Sequence, residues 1–183
     1  MITSRCWYVA SATIKGLNMR TESRTLYLFG ELSDSAKQKA IDRHRYCNVE
    51  DAEWWDCIYE AAERIGLKLT SFDLGCGSYC EGHFTMAGVE VAHAIIAEHG
   101  PDCETYKDAE NYLKEYADLP LEEGEDVPSD SDIELVEREF LAFLLEDYRI
   151  MLQHEYDYLT SDETAAESLE CNGVEFLEDG RRP

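Results

Sequence analysis

The sequence predicts an α+β fold, with a small antiparallel sheet packed by several helices and a long helix toward the C-terminus. Short β-prone runs stand near 25–29, 67–74, 78–86 and 174–177. Apolar residues recur at helical spacing between and after them. The order is strand, helices, hairpin and then mainly helices, which favours an antiparallel sheet with helices on it over a βαβ repeat. With 183 residues and 44% hydrophobic composition, the chain can bury a real core.

Residues 24–118 read as the α+β core. Thr25 to Phe29 is a short apolar strand. Ser33 then stands where an N-cap is expected, with Asp34 in the first turn to meet the positive helix end. Leu32, Ala36, Ala40, Ile41, His44 and Cys47 share the inner face of that helix. Lys37, Lys39, Arg43 and Arg45 share the outer face, the only concentrated basic surface in the chain. Internal pairing with the acidic half accounts for it better than a binding role.

A second helix follows Asn48 to Asp51. Its apolar stripe is Trp54, Ile58, Ala61 and Ile65, with Trp55 and Ala62 beside it and Gly66 as the stop. A regular helix cannot point Trp54 and Trp55 at one core, so one of them belongs at the edge or against another element. Packing explains the pair better than ligand stacking. Leu67 to Leu74 alternates as a strand, Gly75, Cys76 and Gly77 turn, and Ser78 to Met86 returns. GCG is no phosphate loop, for it lacks the lysine and the helix that follows directly.

Val89, Ala92, Ile95 and Ile96 mark a helix closed by Gly100 and Pro101. Tyr106, Ala109, Tyr112, Leu113 and Tyr116 mark the next. Residues 119–131 (LPLEEGEDVPSDS) form an acidic loop.

Residues 132–183 read as an acidic helical part packed on the core. Ile133, Val136, Phe140, Leu144, Tyr148, Met151, Leu152 and Leu159 lie on one side of a long helix, widened by Leu141, Phe143 and Leu145. Thr160 with Glu163 forms a capping box for a last helix through Cys171, and 174–177 is a short strand. Residues 1–23 fit none of this. Met19 offers an internal start, so they are expected to be a leader or a frayed extension.

Charge narrows the functional classes. Forty acids against sixteen bases give −24. Residues 1–100 hold 14 acids and 10 bases, whereas residues 101–183 hold 26 acids and 6 bases. Such a surface repels phosphates, so direct nucleic-acid binding and attraction to anionic lipid are not expected. A basic protein is its electrostatic complement, although acidity also serves solubility alone. No run approaches the roughly eighteen apolar residues of a membrane span. Seven scattered cysteines without a signal-peptide h-region read as reduced thiols of a cytoplasmic protein.

Chemical sites are sparse. Cys76, Cys80 and His83, with Cys103 as a fourth ligand, are the nearest approach to a zinc site. The C-x3-C-x2-H spacing is not a standard knuckle, and Cys80 and His83 face opposite sides of a strand. That odd separation also argues against a Cys80–His83 nucleophile pair. No Ser-His-Asp or nucleotide-binding fingerprint is present. The reading is therefore no catalysis, no cofactor and no assigned metal.

The series LYLFGELSDSAKQKA, EWWDCIYEAAERIGLKLTSFDLGCGSYCEGHFT, CETY, EFLAFLLEDYRIMLQHEYDYLTSD and NGVEFLEDG, from Thr25 to Gly180, resembles a group of small acidic proteins of tailed bacteriophages and prophages. Some members carry an antitoxin-like label. The resemblance implies a setting, the cytoplasm of a bacterial host, and no catalytic residues. Protein–protein binding to a basic host or phage partner is the expected function. The alternatives are a DNA mimic that occupies a host nucleic-acid-binding or defence protein, and an antitoxin-like neutraliser. The acids expected to meet the partner are Glu122, Glu123, Glu125, Asp126, Asp130, Asp132, Glu134, Glu137 and Glu139.

Overall fold

The computed structural model describes residues 23–50, 53–121 and 128–183. The expectations for residues 1–22 therefore lie outside the described residues, as do those for Glu122, Glu123, Glu125 and Asp126. The described chain is α+β. In order come β1 (Tyr27–Leu28), a 3-10 turn (Phe29–Glu31), α1 (Asp34–His44), α2 (Asp56–Arg64), β2 (Leu67–Asp73), β3 (Tyr79–Phe84) and α3 (Gly88–Glu98). Then follow α4 (Glu104–Ala117), α5 (Asp130–Leu159), α6 (Asp162–Cys171) and β4 (Glu175–Phe176).

All four expected strand segments form, but they make two antiparallel pairs, β1–β4 and β2–β3, and not one sheet. The two-residue strands β1 and β4 bond each other through Tyr27–Phe176 and Leu28–Glu175, in a different part of the chain from the hairpin. Correspondingly, the chain divides into two compact units, Met1–Ala52 with Tyr158–Pro183, and Glu53–Asp157. The first helix packs with the last one.

In the first unit Phe29, Leu32, Ala36, Ala40 and Ile41 bury against Ala165, Leu169 and Phe176. Phe29 and Phe176 meet edge to face at 6.3 Å. Ser33 caps α1 by accepting the Ala36 N–H. Ser161, and not Thr160, caps α6 by accepting the Thr164 N–H at 3.2 Å. Arg45 donates to the Thr160 carbonyl at 3.0 Å and pairs with Asp162 at 2.6 Å. Thus one member of the basic face meets the acidic half as expected. Lys37 lies 6.0 Å from the Phe29 ring centroid. Gly180 has φ +80°, and a Cβ there would meet the backbone carbonyl of Ala36, so the closing turn requires glycine.

In the second unit α2, the β2–β3 hairpin, α3, α4 and α5 share one core, built on Ile65, Leu67, Val91, Ile95, Leu144 and Tyr148. A register shift between Leu69 and Ser71 puts a bulge in the hairpin. Trp54 and Trp55 precede α2, outside its regular turns, so both rings reach Phe72 edge to face at 5.6 Å. α5 buries Val136, Phe140, Leu144, Tyr148 and Leu152, each four residues after the last. The wide apolar band does not all go inside, for Phe143 (60% exposed) and Met151 (41%) remain in solvent, beside Leu135 (45%) and Ile150 (38%).

Candidate functional site

The exposed apolar residues of α5 face a stripe of acids on α4. Glu104, Asp108, Asn111 and Glu115 recur at four, three and four residues and fall within one narrow arc of that helix. α4 is fixed against α5 by Tyr112, whose ring stacks on Phe140 with centroids 4.4 Å apart and planes 11° apart. Two hollows open between these helices. One, of about 300 Å³, lies between Asp108, Asn111 and Glu115 on one side and Phe140 and Phe143 on the other. The second, of about 510 Å³, lies between Glu104, Cys103 and Glu98 on one side and Asp147, Ile150 and Met151 on the other. Among the described residues, no lysine or arginine lines either hollow.

Asp147 lines the second hollow and feels the charge of Asp108, which lines the first. Burial, followed by the charges of Asp108, Glu104 and Glu146, pushes its carboxyl up to about 6. Its Oδ2 is buried without a hydrogen-bond partner. Asp108 is raised as well, first by burial and then by Glu104. These acids face one another across a groove that holds too little positive charge for them. The nearest cations are Lys107 and Arg149. Lys107 pairs with Glu104 at 2.6 Å from the flank of α4, and Arg149 pairs with Glu146 at 2.7 Å while also donating to Ser78. At the mouth, His99 Nδ1 and the Thr105 hydroxyl lie 2.6 Å apart and hold the α3–α4 turn.

Of the acids expected to meet a partner, five are described: Asp130, Asp132, Glu134, Glu137 and Glu139. Asp130, Glu134 and Glu139 are exposed. Asp132 serves the N-terminus of α5, accepting the Ser129 hydroxyl at 2.8 Å while its own N–H donates to Ser129. Glu137 is half-buried and accepts the Gly88 N–H at 2.9 Å.

The weak zinc candidates are not brought together. Cys76 is exposed in the hairpin turn and Cys103 is exposed ahead of α4. On β3 the alternation puts Cys80 on the half-buried side and His83 on the exposed side. Burial pushes the Cys80 thiol up to about 11, which suits neither a ligand nor a nucleophile. Among the described residues, no group of three His, Cys, Asp or Glu side chains can hold a metal ion. No described helix is long and apolar enough to cross a membrane.

Sequence reasoning missed the α4 stripe, although the spacing 104, 108, 111, 115 was there to be found. Compared with protein-family models, with curated proteins and with solved structures, the chain matches none of them.

Proposed function

We propose that this chain is a phage-type accessory protein that works by binding a basic protein in the bacterial cytoplasm, with carboxylates as its recognition groups. The observation that carries the reading is the pair of hollows between α4 and α5, which are lined by acids and exposed apolar side chains and, among the described residues, by no lysine or arginine. A net charge of −24 adds long-range attraction for such a partner and speeds encounter. Protein binding is favoured over DNA mimicry because two of the five described candidate acids, Asp132 and Glu137, are committed to internal hydrogen bonds. Exposed apolar side chains beside the acids also have no counterpart in a phosphate backbone.

The test is a binding titration of the intact protein against poly-lysine and against duplex DNA at low and at high salt. The reading predicts saturable poly-lysine binding that weakens about tenfold or more as salt rises past the range where the Debye length falls below about 10 Å. Absence of any poly-lysine binding at low salt would remove it.

A further inference from the structure

The geometry points to a single kind of occupant for the α4–α5 groove: a basic amphipathic helix of a partner protein, laid along it with its apolar stripe on Phe143, Ile150 and Met151. This inference rests on the binding function proposed above and adds the shape of the ligand. Three features select a helix. Phe143 and Ile150 are seven residues apart, two turns along α5, so their side chains project from nearly the same line of the helix. An apolar stripe repeating at i, i+3 or i+4 and i+7 on the partner matches that spacing. From Glu104 to Glu115 the acid stripe covers about 16 Å, or three turns of an incoming helix.

Charge complementarity selects a basic one. Glu104, Asp108 and Glu115 form one wall and Asp147 stands on the other. A lysine or arginine on the partner flanking its apolar stripe reaches these carboxylates while its methylene stem covers the rim. Uniformly charged coil would satisfy the acids and leave Phe143 in water. A purely apolar helix would cover Phe143 and leave Asp147 with like charges on every side. A helix carrying both meets the two halves of the groove at once.

The experiment uses the full chain and three probes: a labelled peptide of ~18 residues with leucines in helical period and lysines elsewhere, a scrambled peptide of the same composition, and poly-lysine. Fluorescence anisotropy reads affinity and circular dichroism reads helix gained on mixing. The periodic peptide is expected to bind at least about tenfold more tightly than the scrambled one and to gain helix in the complex. Phe143→Ser and Ile150→Ser, both at exposed positions, are each expected to weaken it severalfold without lowering the melting temperature. Glu104→Gln with Asp108→Asn is expected to weaken all three probes. Equal binding of periodic and scrambled peptides, or Phe143→Ser and Ile150→Ser both binding as the unmodified chain does, overturns the groove inference and leaves the basic-partner function standing if poly-lysine binds. No binding of any probe at low salt overturns both.

Discussion

The carboxylate of Glu137 on α5 accepts the backbone N–H of Gly88 at 2.9 Å, capping the first turn of α3 from another helix. Gly88 is where that approach is possible. A Cβ there would stand 2.8 Å from Glu137 Oε1 and 2.7 Å from the Tyr112 hydroxyl. Glu137→Ala is expected to cost about 1.5–3 kcal/mol, the range for a hydrogen bond to a charged group. Gly88→Ala is expected to cost about 1–3 kcal/mol through overpacking. The two changes share one contact, so the double variant should lose less than the sum of the singles in urea unfolding.

Asp147 makes stability fall as pH rises. Its carboxyl is raised from 3.8 to about 6, so between these values the folded state holds a proton that the unfolded state has lost. Stability from this group is greatest below pH 4 and declines through pH 6. Asp147→Asn should flatten that slope and raise stability at pH 7 by roughly 1 kcal/mol, once the full shift is discounted for partial exposure. Melting curves from pH 4 to pH 8 for the two proteins check this. The groups to hold constant are Asp108, Glu104 and Glu146, with Lys107 and Arg149 beside them.

Phe176 binds the end of the chain to its beginning. It is fully buried and contacts Phe29 edge to face. Phe176→Ala is expected to cost about 3–5 kcal/mol. Hydrogen exchange should show lost protection in α1 and α6 ahead of the hairpin, because these helices share its core.

Thiol chemistry should separate Cys80 from the rest. With its thiol at about 11, Cys80 is expected to alkylate at least about tenfold more slowly at pH 8 than Cys76 in the neighbouring turn. Peptide mass mapping over time reads the difference.

Local signals in the sequence were faithful where structure is local. The alternation of 67–74, the glycines at the turn and the return to 86 read as the hairpin that forms, and Ser33 reads as the cap it is. The odd separation of Cys80 and His83 placed them on opposite faces before any coordinates did. What could not be read was non-local. β1 and β4 are two residues each, and nothing in either names the other as its partner. That is why two sheets looked like one. Phe143 and Met151 were read as part of the apolar band because apolar residues on a helix are usually buried, and the exceptions show only when neighbours are in place. The α4 stripe was hidden by abundance, since acids in the second half of the chain occur nearly everywhere.

The pairing of Tyr27 with Phe176 also sets an order on synthesis. A ribosome delivers Glu53–Asp157 complete, with every strand and helix of that core in hand, while α6 and β4 have yet to emerge. The segment carrying β1 and α1 has then been outside longest and still lacks the surface that covers Ala36, Ala40 and Ile41. Its apolar face waits in water until α6 and β4 emerge, and in that interval the nascent chain is open to chaperones and proteases.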